Sequence, residues 1–216
     1  MSRKRLRGAS VYKASGILIV ALSMLAAVTA AADDVLPKSR AEALAMEAKD
    51  ALALTNFYDP PDPLGVRTPG ELIRSEPFQG YSLPPGARAV RILYVSRSLD
   101  GAPVAASGVV LIPAGPSPRR GWPVIAWAHG TSGVARMCAP SLMKDVEYGS
   151  EGLMPMVAAG FAVVATDYAG LGTPGPHQYD NKIPQANDVV YSVAAARSCS
   201  PTSGRHPLPV ATATPA

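Results

Sequence analysis

Two uninterrupted apolar runs constrain this chain more than anything else in it. Pro123–Ala128 (PVIAWA) and Phe161–Asp167 (FAVVATD) are short, and they lack the polar alternation of a strand with one wet face. Such runs suit strands buried on both faces, as parallel sheets require. Each leads into a glycine-rich polar stretch, HGTSG at 129–133 and DYAGLG at 167–172. Between them, Glu151–Gly160 (EGLMPMVAAG) predicts a short helix, with Pro155 tolerable in its first turn and Gly160 ending it. Ile183–Arg197 predicts a second helix, with Ile183, Ala186, Val190, Val193 and Ala194 on its apolar face.

Upstream, Ala87–Ser98 and Pro103–Gly115 are β-branched runs on either side of Leu99-Asp100-Gly101-Ala102, and Asp-Gly in that place signals a hairpin. The fold class that results is α/β, an antiparallel hairpin leading into a mostly parallel sheet. Ligands of such sheets bind beyond the carboxyl ends of the strands, where both glycine-rich stretches fall. Closer to the N-terminus, Ser39-Arg40-Ala41-Glu42 has the form of a capping box and predicts a helix over 40–54. The proline-rich FYDPPDPLG (57–65) and the stretch 68–78 read as an irregular lead-in.

The first 32 residues read as a targeting segment. Arg3, Lys4, Arg5, Arg7 and Lys13 precede an apolar stretch and then small residues, so cleavage is expected near Ala30–Ala32. With those five positive charges set aside, the formal +4 of the whole chain becomes −1. No basic patch with interleaved aromatics remains for nucleic acid, and no stable membrane span is expected after cleavage. The organisation expected is a signal peptide at 1–32, a helix and lead-in at 33–80, an α/β body at 81–197 and a divergent tail at 198–216. Cys138 and Cys199 are compatible with an oxidising compartment, their pairing left open, and they give no metal-ligand spacing.

A glycine after a strand lets the backbone turn so that the next N–H groups point outward. In HGTSG this makes Gly130 and Thr131 candidates to hold a tetrahedral oxyanion. Asp167 suits the ordering of a loop by accepting backbone N–H bonds better than it suits direct catalysis.

Taken in order, FYDPP (57–61), GELIRSEPF (70–78), RILYVSRSLDGAPVAASGVVLIP (91–113), AWAHGTSG (126–133), CAPS (138–141) and AAGFAVVATDYAGLGTPG (158–175) resemble the secretory lipase family of α/β-hydrolases. The resemblance runs from about Phe57 to Arg197. It implies a secreted serine esterase or lipase acting on lipid or other acyl esters without a metal or redox cofactor. It places the oxyanion donor on Gly130-Thr131, with the Thr131 N–H first. It puts His129, Asp167, Tyr168, Gly170 and Gly172 at the lining of the site and implies a disulfide role for Cys138.

Enzymes of this fold carry the serine in G-x-S-x-G, with the acid and then the histidine later in the chain. No serine here has that context. Ser132 has its second glycine one residue too early, and Ser82 and Ser117 have only the first. His129, His177 and His206 do not occupy the place of the triad histidine. The composition change at about Ser198 suggests a truncated or frame-slipped reading, an inactive fragment whose 161–167 strand has an unpaired edge. The alternative is a non-catalytic secreted protein that binds lipids or acyl ligands.

Overall fold

The computed structural model describes residues 37–146 and 152–199, so the leader and the segment 200–216 lie outside the described residues. The chain divides into two compact units, 1–49 and 50–216. In the first, helix α1 spans Arg40–Asp50, and the Ser39 hydroxyl accepts the Glu42 N–H at 3.1 Å. Glu42 in turn takes the N–H of Lys38 at 2.7 Å, a variant of the expected capping box. The helix stops four residues short of Leu54. Ala51 instead bridges to Met143, and the Leu52 N–H donates to Leu142 O at 2.7 Å.

The second unit is built on five strands: β1 (Leu72–Phe78), β2 (Arg88–Arg97), β3 (Pro103–Ile112), β4 (Val124–Trp127) and β5 (Ala162–Thr166). Their order is β1-β2-β3-β5-β4. The hairpin at Asp100-Gly101 is present, with Arg97 opposite Pro103, Arg88 opposite Ile112, and Gly101 at φ 82°. The class is α/β as expected, but within the described residues the parallel part is one pair, β4 with β5; the other three pairings are antiparallel. Helix α2 (Leu153–Ala158) and helix α3 (Lys182–Ser198) follow β4 and β5 respectively. No described helix is long and apolar enough to cross a membrane.

Strand alternation divides the core between the two faces of the sheet. Val110 and Ile112 of β3, with Ala162 and Val164 of β5, face a cluster that takes in Ala195, Ala196 and Cys199 of α3 and its end. Val109, Leu111, Val163 and Ala165 face the other way, onto Leu153 and Val157 of α2. Each fully buried branched side chain is worth roughly 1.5–3 kcal/mol, so this two-sided packing is the main force holding β3 and β5 at the centre.

Four expectations are corrected. The lead-in 68–78 contains β1, hidden from a pattern reading by Arg74, Glu76 and Pro77; as an edge strand it tolerates the proline. Among the described residues the unpaired edge on this side of the sheet belongs to β4, not to the 161–167 strand, because β5 lies between β3 and β4. Accordingly β4 is only half-buried, with Ala126 exposed, whereas all five residues of β5 are buried. Helix α3 also shows the opposite face to the core: Pro184, Asp188, Ser192, Ala195 and Ala196 are buried, while Ile183 and Val190 are 49% and 64% exposed. Of the inward stripe, Asp188 accepts the Ala169 N–H at the turn after β5, and Ala195 and Ala196 pack on the sheet.

Candidate functional site

The register Trp127 opposite Ala165 brings the two glycine-rich turns out of the sheet side by side. The imidazole of His129 is buried between them. Its Nδ1 lies 2.6 Å from Gly130 O and its Nε2 3.1 Å from Asp167 O. A carbonyl oxygen only accepts, so the ring makes both bonds as an imidazolium and one of them when neutral. Either way it is occupied with backbone and is no general base for a substrate. Its effect is directional. Gly130 O and the Thr131 N–H belong to one trans peptide and point opposite ways. Fixing the carbonyl on His129 turns the Thr131 N–H away from the imidazole. Thr131 is exposed, and neither its N–H nor that of Ser132 donates to another described residue.

Gly130 itself is not forced by its surroundings: an added Cβ would meet nothing within 4 Å. Gly133, at φ 132°, is forced, since a Cβ there would overlap Cys138 Sγ.

Beneath the loop, Asp167 is fully buried and accepts three hydrogen bonds: Ser107 Oγ at 2.6 Å, Ser141 Oγ at 2.6 Å and the Ser141 N–H at 2.8 Å. Burial raises its pKa above the ordinary carboxylate value, and the Ser107 and Ser141 bonds act against that rise. Asp167 thus ties the 138–141 stretch and β3 to the end of β5, with Ser141 of CAPS and Ser107 supplying the partners. The network continues outward through Tyr58 Oη, 2.9 Å from Ser141 Oγ, and Tyr81 Oη, which donates to Ser141 O at 2.8 Å. It ends at Arg91, 2% exposed, which donates from Nε to Tyr81 Oη at 3.1 Å and stacks 3.3 Å from the Phe78 ring centre. Desolvation pushes the Tyr58 and Tyr81 hydroxyls up, so both stay neutral donors.

The following turn is strained on purpose of position. Tyr168 has φ 65°, a left-handed conformation that costs a non-glycine residue about 1–2 kcal/mol. Its N–H is held by Thr166 Oγ1 at 3.0 Å, and the next N–H, of Ala169, by Asp188 Oδ2 at 3.0 Å. The result sets the Tyr168 ring 4.4 Å from the His129 ring. Gly170 and Gly172, at φ 87° and 73°, allow close approach: a Cβ would meet the His177 backbone in the first case, and Ser107 and Tyr58 in the second.

A cavity of about 190 Å³ opens above, lined by His129, Thr131, Ser132, Tyr168, His177 and Tyr179 among others. Asp167, Gly170 and Gly172 do not line it; they support the wall from behind. Neither His177 nor Tyr179 carries a local signature of the site in the sequence. Only the fold-back of 173–180 over Gly170 brings them in, with His177 Nδ1 donating to Ala169 O at 3.0 Å. The Ser132 hydroxyl is buried there and has no hydrogen-bond partner among the described residues. Cys138 carries a free thiol, as does Cys199, and the two join different clusters: Cys138 packs with Phe57 and Leu142, Cys199 beneath α3. Cys199 is also fully buried, so the packed body extends into the segment read as a tail from 198. Among the described residues no group of His, Cys, Asp or Glu is arranged to hold a metal ion.

No family model matches the chain, and no curated protein matches it. Solved structures do. A ligand-bound form of the rice cell wall degrading esterase LipA from Xanthomonas oryzae is similar at 25% identity and a TM-score of 0.50, over 61% of this chain and 38% of that one. Candida antarctica lipase A, in its closed state, matches at 18% identity and a TM-score of 0.49, over 65% of this chain and 34% of that one. The fold is a partial α/β-hydrolase fold. The chain spans about two fifths of the length of the esterase it matches.

Proposed function

We propose that this chain is the oxyanion-side portion of a secreted serine hydrolase of carboxylic esters, of the lipase and esterase type. The observation that carries the reading is the Gly130–Thr131 peptide, its carbonyl pinned by His129 and its N–H turned outward at the carboxyl end of a parallel strand. A preset donor of that kind stabilises a tetrahedral oxyanion by about 3–4 kcal/mol. The Asp167 network and the Tyr168 turn hold the loop from below and behind. Residues 1–32 fit an export leader, cleaved near Ala30–Ala32.

No serine of this chain lies in G-x-S-x-G, so the chain alone has no nucleophile to form an acyl-enzyme. The expected result is no turnover of p-nitrophenyl butyrate and no covalent labelling by a fluorophosphonate. Turnover abolished by that reagent would refute the absence of a nucleophile. The same feature, with the cavity over His129, Thr131 and Tyr168, favours a second reading: a protein that binds acyl ligands without turning them over.

A further inference from the structure

The oxyanion loop is touched at Thr131 by a side chain from the 173–180 segment. Tyr179 Oη lies 3.1 Å from Thr131 Oγ1, within the residue whose N–H is the outward donor. The phenol is 53% exposed and its ring is 6.2 Å from that of His177, which is itself fixed to Ala169 O. A hydroxyl pair of this kind has two protons and needs one for its mutual bond. With Thr131 Oγ1–H donating to Tyr179 Oη, the phenol proton is free to point at a third oxygen, and the first bond strengthens the second.

We propose that Tyr179 is a direct donor to the ligand oxygen in this cavity, acting beside the Thr131 N–H, and that the ligand class is a short carboxylate or the ester carbonyl from which it derives. The assignment rests on the oxyanion reading of Gly130–Thr131 and extends it to a side chain from the 173–180 loop. Asp180 lines the same cavity, so an anion there is held by directed hydrogen bonds and not by net positive charge. The N-terminus of α3, capped by Asn181 Oδ1 on the Ile183 N–H at 3.3 Å, adjoins the same wall and opposes the Asp180 charge.

The test is a titration of the full chain with sodium butyrate, read from the backbone amide resonances of Thr131 and Ser132. Wild-type chain is expected to show a saturable shift at Thr131. Y179F, which removes one exposed oxygen, is expected to bind about tenfold more weakly with the rest of its spectrum unchanged. T131V is expected to weaken binding by a smaller factor, and T131S to restore it. Equal butyrate affinity in wild type and Y179F, with Thr131 responding in both, overturns the tyrosine assignment and leaves the oxyanion loop standing. No response at Thr131 in the wild-type chain overturns the oxyanion reading, and the tyrosine assignment with it.

Discussion

Asp188 is the residue whose replacement tests the energetics of this site most directly. It sits on the buried face of α3, 2% exposed, and accepts the Ala169 N–H that holds the strained Tyr168 turn. Burial raises its pKa from the ordinary 3.8 to about 6, against the lowering effect of the nearby Ser96 hydroxyl and the Ala169 N–H. Below 3.8 both folded and unfolded chains carry the proton, and the group is neutral to stability. Between 3.8 and about 6 the folded chain keeps a proton that the unfolded chain has released, so stability falls as pH rises. Above about 6 the full cost is present, about 3 kcal/mol at roughly 1.4 kcal/mol per tenfold change in proton affinity. Asp188→Asn keeps an oxygen for the Ala169 N–H and offers its amide to Ser96 Oγ, a buried atom with no hydrogen-bond geometry to any described group. In urea denaturation followed by the fluorescence of Trp122 and Trp127, D188N is expected to exceed wild type by up to about 3 kcal/mol at pH 7. The advantage should shrink toward zero by about pH 4. Other titrating groups cancel in the difference between the two proteins. A difference that does not change with pH, or a D188N chain less stable than wild type at pH 7, would refute the reasoning.

Three further outcomes are expected. Gly172→Ala places a Cβ against Ser107 Oγ and the Tyr58 ring at a positive φ and should cost about 2–4 kcal/mol, whereas Gly130→Ala, which meets nothing, should stay within about 0.5 kcal/mol; urea midpoints compare the two. His129→Ala removes the two imidazole contacts with Gly130 O and Asp167 O in the 129–133 loop. Backbone 15N order parameters at Gly130 and Thr131 should then fall, with about 1–3 kcal/mol lost in the same denaturation assay; unchanged order parameters would exclude the peptide-pinning role. On α3, Val190→Glu should cost less than about 0.5 kcal/mol and Ala195→Leu about 1–3 kcal/mol, the reverse of what the apolar periodicity of the helix implies; thermal denaturation decides between the faces.

The parts that were legible in the sequence are those where one physical demand acts alone. Asp100-Gly101 had to turn, and FAVVATD had to be covered on both faces, so the hairpin and β5 were readable. HGTSG was readable as the place where the chain leaves the sheet, because a glycine-rich polar stretch ends the apolar run. The rest depended on competition between demands. β1 carries Pro77 and two charges because only one of its edges is paired. Tyr58, in a proline-rich stretch, is a core residue because its hydroxyl reaches Ser141, 83 positions along the chain. Helix α3 turns its small and polar stripe inward because Asp188 holds the Ala169 turn and Ala195 and Ala196 pack on the sheet, a tertiary requirement that helical periodicity does not encode. His177 and Tyr179 enter the cavity through a loop fold-back made by Gly170, with no local signature of their own.

The pairing of Trp127 with Ala165 has a consequence for how such a protein can diverge. Both turns leave the sheet two residues beyond that pair, so their alignment is a matter of strand length alone. Inserting one residue into β4 or β5 would send every later side chain of that strand to the opposite face and separate His129 from the Asp167 carbonyl. Insertions between 134 and 160 leave the pairing untouched. A length change that keeps the two turns aligned must therefore fall between the strands and spare Ser141 and α2, while the two strand lengths are locked together.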